Sequence, residues 1–162
     1  RYDEAIIAFE AARRLEPKLP RPDVNVGIAN YKQGEYGKSV KAYEAALKKC
    51  DGNVNRFRRR SVLKNLIELY ASCSDAEVRD GKKAKQHAKA LWKTKRKRNP
   101  LTWSQFSAIA AADAEVGDFK NAIKNVNHAI NASGEASEEQ REGLQKKLAV
   151  YKYGKPFHEE KP

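Results

Sequence analysis

Residues 23–47, DVNVGIANYKQGEYGKSVKAYEAAL, decide the fold. Apolar and small residues recur three and four positions apart on both sides of Gly34-Glu35-Tyr36-Gly37, which predicts two short amphipathic helices joined by a turn. Gly27, Ser39 and Ala46 are small enough to let the helices touch, while Val26, Tyr36, Tyr43 and Leu47 supply bulk that packs across the hairpin and onto the next one. Gly34 is the expected stop of the first helix. A hairpin of this size cannot bury both faces alone, so it must stack on neighbours.

Moved back by 34 positions, the second half of this stretch falls on the start of the chain: Tyr36 on Tyr2, Ser39 on Ala5, Tyr43 on Phe9, Ala46 on Ala12, Asp51 on Pro17. A further copy follows downstream, with Phe106, Ile109, Ala110, Gly117, Phe119, Ala122, Val126 and Ala129 in corresponding slots and Gly117-Asp118 as its turn. A 34-residue period with a helix-turn-helix in each copy resembles the tetratricopeptide repeat. Residues 66–91, LIELYASCSDAEVRDGKKAKQHAKAL, the turn at 114–119 and the closing VYKYGKPF at 150–157 are similar to a subtype frequent in large multi-domain bacterial proteins, notably planctomycete ones. The basic run Trp92 to Arg98 departs from that subtype, which usually carries an acidic or neutral segment there.

The resemblance implies an all-α fold: a right-handed superhelix of antiparallel helical hairpins, an α-solenoid. One such domain is expected over 1–162, made of a half repeat at 1–17, repeats at 20–51, 54–94 and 101–134, a capping helix at 137–154 and a polar tail at 155–162. The 54–94 repeat is stretched, because Ser39 to Ala84 spans 45 positions and places about eleven extra residues in the turn near Ser72–Asp80. Its first helix is predicted over about 54–71, with Phe57, Leu63, Leu66, Ile67 and Tyr70 as the apolar stripe. Its second starts near Gly81 and presents Ala84, Ala88 and Leu91. Thr102 is an expected N-cap, and Ser137 to Gln140 has capping-box spacing. Gly154 and Pro156 end the last helix.

The 162 residues are 40% hydrophobic and 33% charged, which fits a folded chain, and no apolar run is long enough for a membrane span. The opening at Arg1 in mid-repeat and the lack of methionine read as a piece of something longer. The compartment is therefore open, with the cytoplasm favoured. Cys50 and Cys73 make no disulfide framework and are expected as free, half-buried thiols, with a single bridge between them as the alternative.

Charge is uneven. Residues 54–99 hold fifteen Lys or Arg against four Asp or Glu, a surplus of eleven within a chain of net charge +12. Lys82, Lys85, Lys89, Lys93 and Arg96 follow three-four spacing, as do Arg56, Arg60 and Lys64, so two basic ridges are expected. They would suit an acidic partner or, with Trp92 available for stacking, a nucleic-acid backbone, against the plainer role of a solvated face. Lys95 to Arg98 also has the look of a nuclear-import tetrad.

The repeat family grips peptides in a concave groove lined by the first helix of each hairpin. The resemblance therefore points to Arg21, Val24, Ile28 and Tyr31, then Asn55, Arg58, Val62 and Asn65, then Ser104, Ser107, Ala111 and Glu115. Val24 and Ile28 stand where a chaperone-binding carboxylate clamp would need Lys and Asn, so that partner is not expected. A third reading is a structural or self-association module of a larger protein, pairing through Ile6, Ile7 and Phe9 of the half repeat.

Catalysis is not expected, nor is a cofactor. Gly37-Lys38-Ser39 mimics the end of a phosphate loop, but Lys32 stands where the first glycine is required. His87, His128 and His158 are scattered without metal spacing, the first two read as partly buried, and no nucleophile has a visible base. Asp75, Glu77 and Asp80 are carboxylates in a turn with Arg79 among them, which reads as a solvated loop ahead of a cation site. Asn131-Ala132-Ser133 fits a glycosylation sequon.

Overall fold

The computed structural model describes residues 1–50 and 56–160, apart from the side chains of 56 and 57. Among these residues there are eight helices and no strand: α1 Tyr2–Leu15, α2 Arg21–Lys32, α3 Tyr36–Lys48, α4 Arg56–Ser72, α5 Gly81–Trp92, α6 Trp103–Glu115, α7 Phe119–Asn131 and α8 Glu138–Lys152. The chain is all-α, and no described helix is long and apolar enough to cross a membrane. Two compact units divide it, Arg1–Leu66 and the residues from Ile67 onward, with α4 contributing to both. Of the stretch predicted to open α4, Val54 and Asn55 lie outside the described residues, as does the side chain of Phe57.

In the first unit α2 packs on α1 and on α3. The α2–α3 contact is close because Gly27 has no side chain, and Ser39 Oγ donates to the Gly27 carbonyl at 2.7 Å. Ala46 is fully buried and Tyr43 nearly so. The turn between them is set by Gly34, whose φ of +78° suits glycine. Its N–H and that of Glu35 donate back to Tyr31 and Asn30 at 3.0 and 2.9 Å, which satisfies carbonyls at the helix end. Asp23 in the first turn of α2 is buried and receives Lys49 from the end of α3, with Arg13 of α1 at 3.5 Å. By contrast α1 buries none of its residues, and Ile7 and Leu15 stay exposed.

In the second unit α6 and α7 repeat the arrangement. Gly117 has φ +79°, and Gly117 and Asp118 donate back to Ala114 and Asp113 at 3.0 and 2.9 Å. Ala108, Ala110, Ala112, Ala122, Val126 and Ala129 are fully buried. Thr102 with Gln105, and Ser137 with Gln140, form the expected capping boxes of α6 and α8. The segment between α4 and α5 is tied down: Asp80 N donates to the Tyr70 carbonyl at 2.8 Å, Arg79 Nη1 donates to the Cys73 carbonyl at 2.7 Å, and the Asp80 carboxylate caps α5 through Lys83 N. Residues after Gly154 return across the unit, where Glu159 N donates to the Ser72 carbonyl at 2.7 Å and His158 Nε2 lies 2.7 Å from Glu115 Oε2.

Cys50 and Cys73 are free, and both are fully buried where half-burial was expected. Burial pushes the Cys73 thiol above its ordinary pKa.

Candidate functional site

In the second unit α5, α6 and α7 line an open cleft of about 220 Å³. Ala88 of α5 and Ile109 of α6 are small or apolar at core positions and give it an apolar lining. Trp92, the last residue of α5, forms part of the wall and is 42% exposed. Its ring meets Phe106 edge-on at 6.0 Å, and the Lys95 ammonium lies 4.9 Å from its centroid. Lys89 of α5 and Lys124 of α7 also line the cleft, are exposed, and take part in no ion pair among the described residues.

A polar network closes one side. Asp113 of α6 is buried; its Oδ1 receives the Lys85 ammonium and its Oδ2 receives Asn125 Nδ2 at 2.7 Å. Lys85 also reaches Asp118 Oδ2 at 3.4 Å. Burial alone would lower the Lys85 pKa, but the hydrogen bonds and charges of Asp113 and Asp118 outweigh it and hold the ammonium above its ordinary 10.5. Asp118 is held below the usual carboxylate value, chiefly by the Asn121 side-chain amide at 2.8 Å. The carboxylate facing the cleft is thus paired from within, while Lys89 and Lys124 have no ion-pair partner among the described residues.

Some of the residues expected on the two basic ridges are turned away from solvent. On α5, Lys85 turns inward to Asp113, and the helix ends at Trp92, so Lys93 is its C-cap and Arg96 lies beyond it with Nη1 donating to the carbonyls of Lys93 and Lys95. Lys82 and Lys89 remain exposed on α5. On α4, Arg60 is only 3% exposed and Lys64 is half-buried with Nζ 3.2 Å from Asn65 Oδ1. Nothing is described of the Arg56 side chain.

The groove residues separate into three groups. On α2, Arg21 and Ile28 are exposed and Val24 and Tyr31 half-buried, with Tyr31 edge-on to Tyr36 at 5.5 Å. On α4, Arg58 and Asn65 are half-buried, but Val62 is fully buried and belongs to the core; Asn55 lies outside the described residues. On α6 the expected lining is covered: Ser107 and Ala111 are buried, Lys147 of α8 reaches Ser107 Oγ at 3.1 Å, and Glu115 is held by Arg79 at 3.7 Å and by His158. Ser104 is half-buried. Of the two histidines expected to be partly buried, His87 is so and stacks on Tyr70 at 5.8 Å, whereas His128 is exposed beside Phe106.

The cleft was not legible in the sequence because its parts come from three separate helices, and Asp113, Asn121, Lys124 and Asn125 carried no signal within their own helices. A second hollow, of about 420 Å³, lies in the first unit between α1 and α2, lined by Phe9, Leu15, Leu19 and Arg21 among others. No group of three or more metal-binding side chains occurs among the described residues. No family model matches the chain, and no curated protein matches it.

Proposed function

We propose that the chain is a tetratricopeptide-like α-solenoid, its helical pairs stacked as a right-handed superhelix, that binds a polypeptide segment and carries out no reaction of its own. The observation that carries this reading is the apolar edge left open in the first unit. Leu15 and Leu19, 84% and 45% exposed, line the 420 Å³ hollow together with Arg21, and Ile28 of α2 is 44% exposed. Apolar side chains gathered around a hollow are a feature of surfaces that meet another protein. The paired helices with left-handed glycine turns at Gly34 and Gly117, and the small buried residues at the crossings, agree with the repeat resemblance.

A net charge of +12 favours an acidic partner and speeds its encounter, with binding that weakens as salt rises. Polyanion binding is the competing class, but the inward commitment of Lys85 and the burial of Arg60 remove two of the cations it would use. Selection of a random heptapeptide display library against the full chain, alongside titration of short single-stranded and duplex oligonucleotides at low salt, separates the two. Enriched peptides without oligonucleotide binding support the proposal; oligonucleotide binding without peptide enrichment overturns it.

A further inference from the structure

The cleft of the second unit brings together three things that a surface lysine cluster lacks. It has an apolar interior from Ala88 and Ile109, an aromatic wall from Trp92, and two uncommitted ammonium groups on Lys89 and Lys124, contributed by different helices. Asp113, the one carboxylate that lines it among the described residues, already accepts Lys85 and Asn125, so it does not repel an incoming anion as a free carboxylate would. We propose that this cleft is an anchor pocket for one aromatic or large aliphatic side chain of a partner polypeptide, flanked by carboxylates that pair with Lys89 and Lys124.

Size selects this class of ligand. At about 220 Å³ the cleft is below the roughly 300–1,000 Å³ of pockets that enclose a whole small molecule or cofactor. It has room for one bulky side chain. The Lys95 ammonium lies over the Trp92 ring, and the remaining exposed surface of the indole is open to contact. An aromatic anchor in a pocket with charged residues at the rim is the pattern by which a few residues carry most of an interface's affinity. The carboxylates supply encounter rate and register.

The inference rests on the polypeptide-binding reading but concerns a surface separate from the α2 edge, so the two can fail independently. The random heptapeptide library is selected in parallel against four forms of the full chain: the unaltered protein, Trp92→Ala, Lys89→Glu/Lys124→Glu, and Leu19→Asp/Ile28→Asp. The unaltered chain is expected to enrich peptides with Phe, Tyr or Leu beside Asp or Glu. That enrichment disappears with both cleft variants and persists with the α2-edge variant. A synthetic peptide of the enriched sequence loses about thirtyfold in affinity on Trp92→Ala, the scale of a hot-spot truncation. Lys89→Gln/Lys124→Gln, which removes charge without reversing it, gives a smaller loss in the same direction, and an unchanged helical circular dichroism spectrum certifies each fold. If the acidic enrichment survives both cleft variants and is lost with Leu19→Asp/Ile28→Asp, the anchor pocket is overturned and the polypeptide-binding reading stands. If no form enriches any peptide, both are overturned.

Discussion

Gly27 of α2 lies so near the ring of Tyr43 in α3 that a methyl group on it would stand 2.8 Å from Tyr43 Cε1 and 2.9 Å from two further ring carbons. Tyr43 is nearly fully buried and has no room to retreat. Gly27→Ala therefore forces the two helices apart and is expected to destabilise the chain by about 2 kcal/mol, in the range of core overpacking. Tyr43→Leu costs stability by itself, but adding it to Gly27→Ala recovers part of the loss. A double-mutant cycle by urea denaturation reads this as a coupling energy; additive losses contradict the close crossing.

Asp113 is 3% exposed, whereas the side chain of its partner Lys85 is 28% exposed. Losing the cation strands a buried carboxylate with Asn125 alone, while losing the carboxylate leaves an ammonium that can turn to water. Lys85→Met is expected to cost about 3 kcal/mol, and Asp113→Asn about 1 kcal/mol. Equal losses in urea denaturation would show that α6 is not anchored through a buried charge. The first unit has a counterpart in Asp23 of α2, which takes Arg13 from the preceding helix and Lys49 from the end of α3.

Local order was readable from the sequence because its signals are local. The caps at Thr102 and Ser137, the turns at Gly34 and Gly117, and the burial of Gly27, Ala46, Ala110 and Ala122 follow from spacing and residue type within one helix or turn. What a helix faces was not readable. Lys85 fits a solvent ridge by period and leaves it only because Asp113 and Asp118, about thirty residues away, stand opposite. Val62 and Arg60 carry opposite chemistry yet are both buried, and Ser107 and Ala111 lose their expected exposure on an element that also bonds to α8. Periodicity assigns faces to a helix but does not name the neighbour each face meets.

Tyr151 is 1% exposed, and its hydroxyl has no hydrogen-bond partner among the described residues. Tyr151→Phe removes a buried, unsatisfied group without opening a cavity and is expected to stabilise the chain by about 1 kcal/mol at neutral pH. Burial, then the charges of Asp113 and Glu115, raises the Tyr151 pKa above its ordinary 10.0, and Lys85 is likewise raised above 10.5. Both groups hold their protons more tightly in the folded state. Titration of these two groups therefore leaves stability unchanged below their unfolded values and lowers it as pH rises past about 10. Urea denaturation from about pH 8 to about pH 11 should show that decline, shallower in Tyr151→Phe. An identical slope in the variant would contradict the assignment.

Gly117 and Gly37 differ in a way that composition hides. Neither has a neighbour within 4 Å of an added Cβ, but Gly117 has φ +79° whereas Gly37 lies in ordinary helical backbone at the start of α3. Gly117→Ala is expected to lose about 1–2 kcal/mol from left-handed strain alone. Gly37→Ala is expected to gain about 0.5–1 kcal/mol by restricting the unfolded chain. Thermal unfolding of the two variants should move in opposite directions, and a shared direction would refute the turn geometry.

The most direct test of polypeptide recognition through the Trp92 cleft is the indole emission of Trp92 in the Trp103→Phe chain, where it is the sole tryptophan. Titrated with a peptide enriched on the unaltered protein, the emission should change saturably, and the apparent affinity should fall on Lys89→Glu/Lys124→Glu and on raising salt toward about 1 M. Saturable peptide binding, followed by an independent label, that leaves Trp92 emission untouched and survives the double charge reversal would contradict the account.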